Sequence, residues 1–205
     1  PLKIDVANFK RTKKTFSIAT HGREEMSVED IDKIVKIAKV LFTKGYTFRY
    51  SADKRDMVGS AVAKLENAKL DVYLPFKAFN KEMNNPLKFA PTITAYGIAA
   101  NNHKLFNPNP SRPDMVLAPA GRAVFANKVH LMLGDNCLDP LDIMIIHSKA
   151  GDEVLTKQTD YKALGDTSFF MRICSESNIR LYNVSKDESI KKFSEYLRSL
   201  ENNWN

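Results

Sequence analysis

The spacing of apolar and polar residues changes several times along the chain, and each change marks an element. Thr15-Phe16-Ser17-Ile18-Ala19-Thr20 has the character of a short first strand. A polar loop (21–26) follows, and Ser27 with Asp30 three residues on reads as a helix N-cap. Ile31, Ile34, Val35, Ala38, Leu41 and Phe42 then recur every three or four residues, the stripe of an amphipathic helix that Lys44-Gly45 ends. Tyr46-Thr47-Phe48-Arg49-Tyr50 is aromatic and β-branched and predicts a second strand. Residues 51–56 turn the chain into a helix carrying Met57, Val58, Ala61, Val62 and Leu65, and Leu70-Asp71-Val72-Tyr73-Leu74 makes a third strand before Pro75. Alternating strand and helix predict an α/β domain with a mostly parallel twisted sheet and helices on both faces. The loops 21–26 and 51–56 then share the carboxyl edge of that sheet.

Residues 76–119 break the rhythm. This stretch, rich in proline and asparagine, shows little periodicity and reads as a long excursion, a lid or an interface, with one short helix near 93–100. Helical spacing returns over 120–133 through Val124, Val129, Leu131 and Met132, and Gly134-Asp135-Asn136 closes it. A strand-loop-helix-strand unit follows: an apolar strand over 141–146, the small turn Gly165-Asp166-Thr167-Ser168, a helix over 169–176 and a strand over 179–184. The turn stands at a helix N-terminus, where backbone N–H groups are free to face an anion. Ser185 with Glu188 predicts the cap of a last helix bearing Ile190, Phe193, Leu197 and Leu200.

At 205 residues the chain suits one domain spanning 1–205, with 1–14 as a basic leader. No apolar run approaches the roughly 20 residues that span a bilayer, and the start has no signal-peptide core, so no membrane partner and a cytoplasmic location are expected. Cys137 and Cys174 are too few for a disulfide framework. His21, His103, His130 and His147 lack metal-ligand spacing, and neither metal nor cofactor is expected. The net charge of +7, part of it in Lys10-Arg11-Thr12-Lys13-Lys14, favours contact with phosphates. Acidic residues such as Asp53, Asp56, Asp135 and Asp139 fall at loop and helix ends, where aspartate ordinarily caps. His21 and His130 are the pocket histidines by position, a satisfied structural role being the commoner one. Phe76, Phe79, Phe89, Tyr96 and Phe106 either stack bases or pin the excursion to its domain.

Four segments carry a resemblance to a known group. Residues 16–23 look like a first strand with a Gly-Ser-Arg type loop, and 44–56 like the segment G-x-x-L-R-S-G-G-A-x-G-A-D. Val72-Tyr73-Leu74-Pro75-Phe76-Lys77-Ala78-Phe79-Asn80 is similar to I-Y-L-P-W-K-G-F-N, and 122–134 followed by Gly165-Asp166-Thr167 to the pair R-N-V-x-Q-x-L-G and G-G-T-G-Q-A. In their order the segments resemble the SLOG superfamily, the Rossmann-like group that includes the lonely-guy phosphoribohydrolases and DNA-processing protein A, and within it a branch common in bacteriophages. A host-cell cytoplasm would then be the location.

The resemblance implies a phosphate or nucleotide site at the carboxyl edge. Gly165, Asp166, Thr167 and Ser168 would cradle the phosphate, with Arg23, Arg49 and Lys128 as counter-charges. The paired Arg and Glu of the hydrolytic members are matched here by Asn127, beside Lys128, and by Arg172. A cation in place of a carboxylate favours holding an anion over cleaving a glycosidic bond. Tyr50-Ser51-Ala52-Asp53 also lacks the paired glycines, and Asp166 stands where a second glycine would approach phosphate. The leading expectation is therefore a non-catalytic protein that binds a nucleotide-type ligand or nucleic acid. A nucleotide N-glycosidase and a scaffold acting through the 76–119 excursion are the alternatives, and homo-oligomerisation is left open.

Overall fold

Strand and helix alternate along the chain as the pattern predicts. The computed structural model describes residues 3–20, 26–53, 55–77, 79, 88–107, 111, 115–149 and 153–202. A single turn of 3-10 helix, Val6–Asn8, precedes β1 (Thr15–Ala19), α1 (Val28–Thr43), β2 (Thr47–Tyr50), α2 (Met57–Ala63) and β3 (Leu70–Leu74). Then come β4 (Lys88–Phe89), α3 (Ile93–Asn102), α4 (Pro119–Leu133), β5 (Ile143–Ile146), α5 (Tyr161–Leu164), α6 (Thr167–Glu176), β6 (Arg180–Asn183) and α7 (Asp187–Asn202).

The strands stand in the order β4-β3-β2-β1-β5-β6, and every pairing is parallel. Phe16 lies opposite Phe48 on one side and Ile143 on the other, which fixes the register at the centre. Chain order reverses between β1 and β5, the position where open α/β sheets form a crevice at their carboxyl ends.

Successive strand residues face opposite sides, so the sheet sorts its own side chains. Phe16, Ile18, Phe48, Ile143, Ile145 and Tyr182 turn to one side and form a core with α1, α2 and α7. Met144 and Ile146 turn to the other and pack with α3, α4 and α6. Helix α4 is enclosed on this second side, with a continuous buried run from Ala123 through Leu133 apart from Val124, because α3, α6 and the sheet all contact it.

Local chemistry sets the helix ends. Ser27 Oγ accepts from the Asp30 N–H at 3.1 Å, as expected. Asp56 Oδ1 accepts from Gly59 N–H and from Thr20 Oγ, each at 2.8 Å, and so ties the start of α2 to the end of β1. A Cβ at Gly59 would overlap the Asp56 carboxylate, so the glycine leaves room for that cap.

Three expectations need correction. Within 76–119, α3 is longer than foreseen and buries Ala95, Ile98 and Ala99 in the second core, and Lys88–Phe89 adds an edge strand beside β3. The described parts of that stretch therefore supply core as well as surface. Ser185 does not cap the last helix: α7 begins at Asp187, while the Ser185 hydroxyl donates to Ser148 O and contacts Asn183 Oδ1. Helix α6 starts at Thr167, inside the tetrad read as a turn, and a short α5 precedes it.

The basic leader is docked along the amino edge. Lys10 N–H donates to Leu138 O, and Thr12 donates through its N–H and hydroxyl to the Asp139 carboxylate. Lys13 pairs with Asp71 at 2.5 Å and Arg11 with Asp142 at 3.3 Å.

Candidate functional site

The carboxyl edge collects polar groups around the first turn of α6. Gly165 has φ of +52°, a left-handed turn that glycine adopts without strain, and it links α5 to Asp166 at the head of α6. Asp166 Oδ2 accepts from Lys128 Nζ at 2.7 Å and lies 3.7 Å from a nitrogen of Arg55. Lys128 comes from the middle of α4, where its side chain is 3% exposed, and its ammonium lies 4.2 Å from the Phe125 ring centre. Burial pushes the Lys128 amine below its usual range, and the Asp166 carboxylate opposes that shift.

Arg55 reaches the same place from the loop after β2. Its guanidinium pairs with Asp53 through two nitrogens, at 2.7 Å and 3.2 Å, and its backbone N–H donates to the same carboxylate at 3.0 Å. Asp53, Arg55, Asp166 and Lys128 thus form a chain of alternating charge linking the β2–α2 loop, the head of α6 and α4.

Two cavities meet on this chain. One, about 510 Å³, has mainly apolar walls, including Phe76, Phe79, Phe125, Leu105 and Leu117, with Asp53, Arg55 and Asp166 at its polar side. The other, about 570 Å³, runs between the residues after α3 and the first turns of α6, with Lys104, Arg172, Ser168 and Tyr161 among its lining. Asp166, His103 and Leu105 belong to both. His103 Nδ1 accepts from the Leu105 N–H at 3.3 Å, its ring centre lies 4.0 Å from that of Phe125, and burial holds its pKa below the ordinary 6.5.

The expected site residues divide into groups. Gly165, Asp166, Ser168 and Arg172 line one cavity together, and Lys128 touches it through Asp166. Ser168 does not offer its hydroxyl outward, because that hydroxyl donates to Gly165 O at 2.8 Å. The Thr167 hydroxyl is buried and has no hydrogen-bond partner among the described residues. Arg49 departs from the group: it is 1% exposed and reaches to the α4–β5 connection, donating to Asp139 O at 2.7 Å and pairing with its carboxylate at 3.1 Å. Its place in β2 turns it under α4 toward the amino edge, so it serves as a structural counter-charge. Arg23 and His21 lie outside the described residues.

His130 is structural. Its Nε2 accepts from the Thr92 N–H at 3.1 Å and its Nδ1 donates to Gly134 O at 2.8 Å, joining α3 to the end of α4. Asn127 is 2% exposed and donates to Tyr73 O at 2.8 Å, and Arg172 donates to Asn102 O at 3.1 Å.

Arg55 and His103 line the candidate site without having been expected there. The signal for Arg55 was its position two residues after Asp53 in a loop already assigned to the carboxyl edge. His103 had no such signal, because it depends on how the segment after α3 folds back over α4.

Among the described residues, no group of His, Cys, Asp and Glu could hold a metal ion, and no helix is long and apolar enough to cross a membrane. Compared with models of known protein families, with curated proteins and with solved structures, the chain matches none.

Proposed function

We propose that this protein binds a nucleotide-type ligand at the carboxyl edge of its sheet without cleaving it. The observation that carries the reading is the pairing of an aromatic-walled cavity with a cation-bearing one on either side of Asp166. The first offers a flat heterocycle the rings of Phe76 and Phe79, with Phe125 forming part of the apolar floor behind them. The second offers a phosphate the guanidinium of Arg172 and the ammonium of Lys104. Asp166 and Asp53, already held by Lys128 and Arg55, remain acceptors for sugar hydroxyls between the two.

Binding without hydrolysis is supported by what the carboxylates do. Both are committed to cations, and where the resemblance to the SLOG superfamily would put a catalytic carboxylate there is Arg172. A group that stabilises an oxocarbenium-like sugar is thus replaced by one that repels it.

Titration calorimetry with a panel of nucleoside monophosphates tests the reading, together with chromatography of the same mixtures for free base. Expected are saturable binding of at least one nucleotide, about tenfold weaker in Arg172→Ala, and no base released. Release of base at a rate that falls in Asp166→Asn would replace the reading with an N-glycosidase. Absence of binding at millimolar ligand would remove it.

A further inference from the structure

His103 stands where the two carboxyl-edge cavities meet, with one ring nitrogen free for a ligand. Its Nδ1 accepts from the Leu105 N–H at 3.3 Å, so the neutral ring carries its proton on Nε2. That Nε2–H has no hydrogen-bond partner among the described residues, and the half-buried ring lines both cavities. Phe125 from α4 and Phe169 from α6 hold the ring in place, their centres 4.0 Å and 6.1 Å from its own. What a donor fixed in this way lacks is an acceptor, and the cavities are the space from which one can come.

Charges reach the ring from several elements. Helix α6 contributes Asp166 and Arg172, α4 contributes Lys128, and the segment after α3 contributes Lys104. The β2–α2 loop brings Asp53 and Arg55 to one cavity, and α5 brings the Tyr161 phenol to the other. Both carboxylates are already matched, Asp166 by Lys128 and Asp53 by Arg55, each at 2.7 Å. Two of the cations are not. Lys104 has no acidic partner among the described residues, and Arg172 donates to a neutral group, the carbonyl of the peptide joining Asn102 to His103, at 3.1 Å. Burial first, and then Lys128, Lys104 and Arg172, disfavour a charged ring, while Asp166 favours one.

We propose that His103 is the proton-linked contact of the carboxyl-edge site: an anion between Lys104 and Arg172 accepts from its Nε2–H, and the ring takes up a second proton as the anion binds. The assignment rests on the reading of the cation-bearing cavity as the place of the ligand's anionic group. A doubly charged anion offsets both unmatched cations, which leaves Asp166 and the anion together favouring the imidazolium. The second proton goes to Nδ1, which then ceases to accept from the Leu105 N–H, a contact long enough to be lost at small cost. Binding and proton uptake favour each other by the same factor, so the anion binds more tightly as pH falls.

NMR of the histidine ring Cε1–Hε1 signals of the full chain, followed between about pH 8 and 5, tests this. Sodium sulfate is the probe, because sulfate keeps both charges over that interval, and sodium chloride at equal ionic strength is the reference. The signal missing from His103→Gln identifies His103. Expected is a midpoint below 6.5 in chloride that rises by about one pH unit at saturating sulfate, with sulfate affinity about tenfold higher at the acid end. In His103→Gln, whose amide spectrum away from the site matches the parent, that affinity varies by less than about twofold with pH. Arg172→Ala raises the sulfate concentration needed to move the midpoint. A midpoint unmoved by bound sulfate overturns the proposal, as does sulfate affinity with the parent's pH dependence in His103→Gln. Absence of sulfate binding at the acid end overturns it as well. A nucleoside monophosphate in the same series separates the two readings: bound nucleotide with the His103 midpoint unmoved removes the proton link alone. A midpoint moved by sulfate with no nucleotide bound upholds the link and removes the nucleotide.

Discussion

The two sides of the sheet are built from different materials. Toward α1, α2 and α7 the strands present Phe16, Ile18, Phe48, Ile143 and Ile145, and the helices answer with Ile34, Ala38, Leu41, Val62 and Phe193. Phe16 stacks near Phe48 at 5.1 Å and meets Phe42 edge-on at 5.4 Å, so this side coheres through shape and apolar area. Toward α3, α4 and α6, buried Arg49, Asn102, Asn127, Lys128 and His130 are set among the apolar side chains. Each has a named partner in Asp139, Ile98 O, Tyr73 O, Asp166 or Gly134 O. Buried polar groups cost stability unless matched, so these pairings are what allows that side to carry them. Both carboxyl-edge cavities are built from elements on that side together with the loops after β2 and β3.

Truncation on the dry side gives the largest expected loss. Phe16→Ala removes a ring that is 0% exposed at the centre of the sheet and is expected to cost about 3–5 kcal/mol in urea unfolding. A loss under about 1 kcal/mol would mean that the packing there is loose and would break the contrast. On the polar side the cost is expected to come from unpairing. Asp166→Ala leaves Lys128 buried without its carboxylate, at a cost of about 2 kcal/mol, below the range for a fully buried pair because Asp166 is 27% exposed. Lys128→Met combined with Asp166→Asn is expected to recover most of that loss, since no charge is then left unmatched. If the double variant is as unstable as the single one, volume and not charge governs this side too.

The sequence made the dry side legible and left the polar side partly hidden, for a physical reason. A helix covered on one side shows a stripe, and Ile34, Ala38, Leu41 and Phe42 announce α1 without reference to the rest of the chain. Helix α4 is covered nearly all round, so Asn127, Lys128 and His130 follow no stripe and their partners are set by distant segments. Arg49 illustrates the limit: its strand and register were readable, yet its partner lies 90 residues away at the other end of the sheet from the expected site. The turn at Gly165 and the cation at Arg172 could be located because they are local to one strand-helix unit. Arg55 joins them only through Asp166, and His103 only through the folding of the segment after α3.

A smaller effect separates local from tertiary support on the dry side. Ser27→Ala removes the hydroxyl that accepts from Asp30 N–H and is expected to cost about 1 kcal/mol, with Ser27→Asp close to the parent. The first turn of α1 has a second tie, because His147 Nε2 lies 3.1 Å from the Asp30 carboxylate. A loss in Ser27→Ala much below that figure would show that this long-range contact, and not the cap, fixes the start of the helix.

The smallest expected effect is a pH dependence on the polar side, and its sign follows from burial. Burial holds the His103 pKa below 6.5, so the folded chain resists the proton that the unfolded chain accepts. As pH falls from neutrality through 6.5, the unfolded state binds that proton first and stability declines, until the folded pKa is passed and the loss levels off. The nearby Asp166 carboxylate pulls the other way, while Lys128, Lys104 and Arg172 reinforce the direction. His103→Gln keeps an acceptor for the Leu105 N–H without the titrating ring, so the part of the acid-side decline that begins at 6.5 is expected to shrink in it. Urea midpoints measured for both proteins between pH 7.5 and about 5 read this difference directly. Identical pH profiles would place the titrating group elsewhere, and a parent that gains stability over that interval would mean that Asp166 outweighs burial at the wall the two cavities share.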